Sequence, residues 1–454
     1  MHSGPTACGR LVPGWLLIMP AEILPVEGSF SNKSPDTKIQ TLAFWVFLFA
    51  FAVRFAIGLA SLSSLDADSD AYRRLSQTIH KTGTFGLLDS QGDPNATAYR
   101  PLLYPWLLSW FGGLDTDRLP IALLHAVLGG LTVALTFDIA RRLGLSRNVS
   151  LFASALVLVD PILVRQSTLV MTETLATFLG LAIWWATMVF GRSQSERGRG
   201  MLFEGAAIGV ALGFACLCRP TALAWCVLWG AIELRRKPLR ASGLLLGCLL
   251  VLFPWWIRNY SQFGQGVWTT THGGYTLLLA NNPILYEHWQ SSPSREWDED
   301  RFHDWWATKQ AEKFNHTPAD EIALDAFANQ LGFETIRNNP GMFAKACFIR
   351  EGWLWAWWPS QRQADWKARW VVGLWYAITS VAALLGLRRL LAVDRKQLVV
   401  WLPALTLAAS LCIVHAVYWS NMRMRAPMIP IVSLLAVHCC CAPTVGRYSD
   451  VRMQ

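Results

Sequence analysis

Charge is scarce in this chain of 454 residues: Asp, Glu, Lys and Arg make up 16%, while 53% of residues are hydrophobic. An ordinary soluble domain carries about a quarter charged residues, so this composition argues against a soluble enzyme and excludes a disordered or fibrous chain. Acidic residues are fewer than basic ones, 31 against 40, for a formal net charge of +9. The basic side chains fall in short clusters between apolar runs and not along one face, which speaks against nucleic acid as a partner. Cysteines at metal or disulfide spacing are also lacking. Of the ten, Cys8, Cys216, Cys218, Cys226, Cys248, Cys412, Cys439, Cys440 and Cys441 sit in apolar stretches or near the termini, and Cys347 alone lies in a long polar region. Tyrosine is sparse beside tryptophan and phenylalanine, 9 against 24 and 22, a bias that fits a surface meeting lipid.

What is present is a series of apolar runs. A helix needs about 17 to 25 residues to cross a bilayer core. Candidates lie near 41–64, 119–140, 149–164, 172–190, 202–217, 220–234, 241–257, 368–387, 397–418 and 426–442. They predict an all-α integral membrane protein with about ten (roughly 8 to 13) transmembrane helices. Lys and Arg in the short loops alternate in number. One set holds Arg141, Arg142, Arg147, Arg192, Arg197, Arg199, Arg235, Arg236, Lys237, Arg240, Arg388, Arg389, Arg395 and Lys396; the other holds only Arg165, Arg219, Arg423 and Arg425. The richer set is expected in the cytoplasm.

The expected organisation is a cytoplasmic segment 1–40, a transmembrane catalytic core 41–257 that includes an outer loop 65–118, an extracytoplasmic helical cap 258–366, and C-terminal transmembrane helices 367–454. The stretch 11–25 is broken by Pro13, Pro20 and Pro25 and lacks a cleavage site, so it is not read as a signal peptide. In the cap, Leu324, Phe327, Ala328 and Leu331 recur at helical spacing.

The chemistry-bearing residues gather at the expected outer surface. Asp66, Asp68 and Asp70 follow the first apolar run directly. They could cap a helix, or one could serve as a general base where partial desolvation raises its basicity. Arg100 closes the same loop; it could stiffen the loop by pairing with an aspartate, or present its fork of donors to a phosphate. Glu173 opens an otherwise uncharged run, either as a partner of the helix dipole or as a functional acid. Arg165, Arg219, Arg423 and Arg425 oppose the charge rule; each could snorkel to headgroups, or together they could form a cationic pocket for a lipid phosphate. Arg258 follows an interfacial Trp pair that a membrane-exit belt explains, and His272 precedes the Gly273–Gly274 turn, where it could touch substrate or simply be solvated.

Taken in order, these features resemble the GT-C class of integral-membrane glycosyltransferases, in particular the family-39-like branch of protein O-mannosyltransferases and the aminoarabinose transferase of lipid A. The resemblance rests on D-x-x-x-Y (Asp68 to Tyr72), G-x-F (Gly83 to Phe85), R-P-x-x-Y-P (Arg100 to Pro105), the acid Glu173, PWWIRNY with its Gly-Gly loop, and R-x-R-x-P (Arg423 to Pro427). It spans roughly residues 45 to 440. Leu102 and Leu103 stand where relatives often carry a second proline or a lysine.

The resemblance implies a GT-C fold and transfer of a sugar from a polyprenyl-phosphate donor, with inversion, to an acceptor on the extracytoplasmic side of a cell membrane. It makes Asp68 the principal catalytic carboxylate, with Asp70 as the alternative, and Glu173 the second acid. Tyr72, Arg100, Tyr104, Arg165, Arg219, Arg258, His272, Arg423 and Arg425 are the expected substrate contacts. The implied partners are the lipid-linked donor, the bilayer and an acceptor not named by the sequence. No cofactor is called for; a divalent cation could assist, although the acids lack metal-ligand spacing. The competing readings are a transporter or flippase of lipid-linked sugars and a noncatalytic scaffold.

Overall fold

Apolar runs of this length leave the backbone no partner but itself, so they fold as helices. The structure, a computed structural model, describes residues 37–111, 118–190, 198–291, 297, 299–315, 319–359, 365–392 and 395–439. Outside the described residues lie most of the expected segment 1–40 with Cys8, the loop arginines Arg192 and Arg197, and Cys440 and Cys441.

The first described elements are α1 (Thr37–Ala60) and a 3-10 turn (Leu62–Asp66). The loop 65–118 follows with α2 (Tyr72–Thr82), β1 (Gly86–Leu88), β2 (Pro94–Ala96) and α3 (Leu103–Ser109). Next come α4 (Leu119–Arg142), α5 (Arg147–Leu158), α6 (Pro161–Gln166), α7 (Glu173–Phe190), α8 (Arg199–Cys218), α9 (Ala222–Arg236) and α10 (Pro238–Phe263). The large polar block folds as α11 (Gly273–Ala280), α12 (Pro283–Ser291), α13 (Glu299–Phe314), α14 (Glu321–Asn338) and α15 (Pro340–Leu354). The chain continues through α16 (Trp366–Ala392), α17 (Arg395–Val417), a 3-10 segment (Met422–Met428) and α18 (Ile429–His438).

Among the described residues, seven helices are long and apolar enough to cross a membrane: most of α1, then α4, α7, α8, α10, α16 and most of α17. The other three apolar runs form the shorter helices α5, α9 and α18. The run 149–164 is two helices, because Asp160 accepts the Leu163 N–H at 3.0 Å and restarts the chain as α6.

Glycines set the tightest packing. Gly205, Gly209 and Gly213 of α8 pack on α10, Gly243 and Gly247 of α10 pack on α8, and a Cβ at Gly209 would lie on the Leu244 carbonyl. Small residues four apart let two apolar helices approach backbone to backbone, the membrane analogue of core packing. A Gly209→Leu protein should therefore lose about 1–3 kcal/mol from overpacking, whereas Gly341→Leu, with open space around that position, should be neutral. Thermal unfolding in detergent compares them, and equal midpoints would refute the close approach.

The cap carries its own apolar clusters, one around Leu278, Phe302, Trp306 and Ala328, another around Leu285, Tyr286, Trp289 and Ala346. It is fastened to the end of α17 by Arg350, fully buried, which donates to the Ala416 and Ala280 carbonyls at 2.7 Å each, and by Asn281, which donates to Val417 at 2.9 Å. Leu324, Phe327 and Leu331 pack against the first cluster.

Candidate active site

Each motif of the loop 65–118 has a local physical task. Gly83 adopts φ +71°, which favours glycine, and ends α2 by donating its N–H to Ile79 at 2.8 Å. Phe85, two residues on, is buried edge-to-face on Trp255 at 5.1 Å between ring centroids. Arg258 then fastens the β1–β2 hairpin to the end of α10. It donates to the Phe85 carbonyl at 2.6 Å and the Thr97 carbonyl at 2.8 Å, and lies over the Trp255 ring. Asn259 donates to Val267 at 2.9 Å and Trp255 to Thr269 at 2.8 Å, which shapes the following loop. The PWWIRNY motif thus holds two loops together, and the guanidinium of Arg258 is spent on backbone carbonyls.

The acidic turn lies beside this assembly. Asp68 accepts the Arg73 N–H at 2.9 Å and the Arg74 N–H at 3.1 Å, so its two oxygens hold the first turn of α2. Asp66 pairs with Arg118 at 2.5 Å and Arg73 at 3.4 Å. Asp70 pairs with Arg100 at 2.7 Å, and Arg100 also donates to the Asp70 carbonyl at 3.2 Å. Ala71 between them adopts φ +59°, an uncommon value for a non-glycine residue.

A second acid arrives from elsewhere. Glu173, the first residue of α7, is 2% exposed. Its Oε1 lies 3.1 Å from Arg219, which follows α8, and 3.7 Å from Arg423 of the 3-10 segment. Its Oε2 is buried without a hydrogen-bond partner.

The two groups meet across a tyrosine pair. Tyr72 and Tyr104 are buried with ring centroids 5.3 Å apart, edge to face. Burial pushes the Tyr72 phenol above its ordinary range, and the charges of Arg100, Asp70, Glu173 and Arg219 all act on it. Tyr104 is also raised by burial, and it feels Tyr72, Glu173 and Asp68. Both ion pairs and Asp68 therefore lie within electrostatic reach of one aromatic pair. Tyr104 is anchored on His125 at 2.8 Å; His125 donates from Nδ1 to the Ser167 carbonyl at 2.9 Å, so its Nε2 accepts the tyrosine hydroxyl.

The remaining candidates lie elsewhere. Arg165 is exposed on α6 and forms no ion pair among the described residues. Arg425 is buried in a separate cluster, where it donates to Leu354 at 3.0 Å and Ala356 at 2.8 Å and lies 4.1 Å over the Tyr376 ring. Tyr376 in turn donates to Asp160 at 3.1 Å. Asp160, the residue that caps α6, is 2% exposed and is the acid of that cluster.

His272 is enclosed, not solvated: Tyr99 meets it at 4.3 Å and Tyr275 stacks on it at 5.2 Å, with Nδ1 unpartnered. Burial, and then the Arg100 cation, lower its pKa to about 3. In the unfolded chain it takes a proton near 6.5, so folding becomes less favourable as pH falls from about 6.5 towards 3. A His272→Gln protein should lose less thermal stability than wild type between pH 7 and pH 5; parallel curves would refute the neutral, buried state.

Among the described residues no three His, Cys, Asp or Glu side chains converge as a metal-ligand set. Asp66, Asp68 and Asp70 are held by guanidinium or backbone N–H groups, and Glu173 by Arg219 and Arg423 through Oε1 alone.

Residues 104–269 match the family model of dolichyl-phosphate-mannose-protein mannosyltransferase. No protein of curated function matches the chain by sequence. In structure, the chain is similar to the Archaeoglobus fulgidus oligosaccharyltransferase tethered with an acceptor peptide, at 14% identity and a TM-score of 0.51, over 88% of this chain and 49% of that one. It is similar at 14% identity and a TM-score of 0.51 to the oligosaccharyltransferase AglB of the same organism in complex with an inhibitory peptide and a dolichol-phosphate, over 87% of this chain and 50% of that one. ArnT from Cupriavidus metallidurans bound to undecaprenyl phosphate aligns at 14% identity and a TM-score of 0.37, over 87% of this chain and 77% of that one. The chain thus spans about half the length of the archaeal oligosaccharyltransferases. Residues 104–269 thus match the mannosyltransferase family model, and the chain shares its all-helical membrane fold with the archaeal oligosaccharyltransferases.

Proposed function

We propose that this protein is a membrane glycosyltransferase that moves a sugar from a polyprenyl-phosphate donor to an acceptor on the extracytoplasmic side. The observation that carries the reading is that Asp68, the Asp70–Arg100 pair and the Glu173–Arg219 pair, which Arg423 joins at 3.7 Å, all lie within electrostatic reach of the Tyr72–Tyr104 pair. Acids and guanidiniums gathered at the ends of apolar helices suit a donor whose tail is in hydrocarbon and whose anomeric carbon is at the interface. The dolichol-phosphate complex of the archaeal oligosaccharyltransferase supports a polyprenyl phosphate as the lipid product.

In this mechanism Asp68 is the base. Its capping bonds fix the carboxylate while each oxygen retains a lone pair. An acceptor hydroxyl or amine gives its proton to Asp68 as its oxygen or nitrogen attacks the anomeric carbon. The bond from that carbon to the phosphate oxygen breaks, with inversion, and the electron pair leaves on polyprenyl phosphate. Arg219 and Arg423 stabilise the charge developing on the leaving phosphate. Glu173 Oε2, buried and unpartnered, accepts a donor group of a bound substrate.

The arginine-poor loops near the site belong outside, by the charge rule. Purified protein in nanodiscs, given a panel of radiolabelled polyprenyl-phosphate sugars and candidate acceptors, should release polyprenyl phosphate. Transbilayer movement of the labelled lipid without release would instead support a transporter or flippase.

A further inference from the structure

The cap contains a cavity of about 290 Å³ that the mechanism above does not use. Three of its walls are aromatic, supplied by Tyr99, Tyr275 and Trp306. Its polar groups are largely unspent. Thr271, 4% exposed, is part of its lining, and the buried hydroxyl of this residue has no hydrogen-bond partner. Asp325 uses Oδ1 to accept the Gly274 N–H at 2.7 Å and the Tyr275 N–H at 3.3 Å, which fixes the carboxylate and leaves Oδ2 open. Gln310 is part of the same lining. Glu321 closes one end, held by the Thr97 hydroxyl at 2.5 Å and the Ala98 N–H at 2.7 Å.

The chemistry of these walls selects a ligand class. Two carboxylates with no lysine or arginine in the lining repel phosphate and carboxylate groups. Flat rings beside a few fixed donors and acceptors suit a compact, hydroxyl-rich ring, and the volume is at the small end of ligand sites, room for one such ring. Tyr99 ties this space to the candidate active site. One neighbour of its ring is His272, another is the Arg100 guanidinium at 4.9 Å, which is paired to Asp70. The cavity is therefore one aromatic side chain away from the acids.

We infer that this cavity is the acceptor subsite, and that it holds a pyranose ring without acidic substituents, carried by the acceptor. The inference rests on the glycosyltransferase reading for the word acceptor, but the binding itself is measured independently. Purified full-length protein in detergent is titrated with methyl α-glucopyranoside, methyl glucosaminide and methyl glucuronide by saturation-transfer NMR, and separately with undecaprenyl phosphate. The two pyranosides lacking an acid should bind and the glucuronide should not. Thr271→Val and Gln310→Ala break no side-chain hydrogen bond among the described residues, and each should weaken pyranoside binding about fivefold, the loss of one net hydrogen bond. Both variants should bind undecaprenyl phosphate as wild type does. Pyranoside binding that is absent in wild type, or unchanged in both variants, overturns the subsite. A wild-type protein that binds pyranosides but no undecaprenyl phosphate keeps the sugar site and strikes the donor assignment instead.

Discussion

An Asp68→Asn protein is expected to transfer sugar at least about a hundredfold more slowly than wild type, the usual worth of a positioned base, with its affinity for the lipid donor unchanged. Asparagine retains one carbonyl oxygen for the Arg73 or Arg74 N–H but turns its own NH2 group against the other. It has no basic lone pair to take the acceptor's proton. The lost capping bond costs about 1 kcal/mol, too little to unfold the protein, so a thermal unfolding curve separates chemistry from stability. Asp70→Asn acts differently, because Asp70 holds Arg100 at 2.7 Å; its effect should fall on substrate affinity. A thermally intact Asp68→Asn protein with wild-type turnover would remove Asp68 from the role of base. Turnover lost only in Asp70→Asn would pass the role to Asp70.

Glu173→Gln should be the most destabilising single change at the site. The carboxylate is buried, and Arg219 beside it is largely shielded from water, with a side chain 15% exposed. Removing one partner of a buried pair leaves the other charge unpaired and costs about 3–5 kcal/mol. Arg423, 34% exposed and at 3.7 Å, contributes less because water screens it. Glutamine also removes a negative charge from the first turn of α7, where the helix dipole favours one. Combining it with Arg219→Met removes both charges together and should recover a large part of the loss. A double-mutant cycle on thermal unfolding measures the coupling. Strictly additive effects would mean that the pair is not formed as described.

Hydropathy located the apolar runs because each is a local sum, but it could not tell a crossing helix from a shorter one. The run 149–164 shows why. Its interruption at Asp160 depends on a side chain accepting a backbone N–H and on Tyr376 and Trp375 arriving from α16. The β1–β2 hairpin had a signal that hydropathy does not register: Asp89 accepts the N–H groups of Gln91 and Asp93, around Gly92 at φ +89°. The glycines of α8 and α10 likewise stand four apart in the sequence, a pattern invisible to a reading that asks only whether a run is apolar.

The candidate residues were legible by type and divided by geometry. Asp68, Asp70, Tyr72, Arg100, Glu173, Arg219 and Arg423 come together, whereas Arg425 joins Asp160 and Tyr376 elsewhere and Arg258 serves the hairpin. Arg423 and Arg425 are two residues apart, yet the 3-10 segment turns them towards different acids. No linear pattern assigns those partners.

The order of amino acids alone determined that this chain is helical and lives in a membrane, because transfer of apolar side chains out of water and the backbone's need for internal partners act on contiguous residues. Only the tertiary structure decided which charges face each other. Glu173, Arg219 and Arg423 come from three separate segments, and whether a buried charge is matched depends on groups that chain connectivity does not bring near.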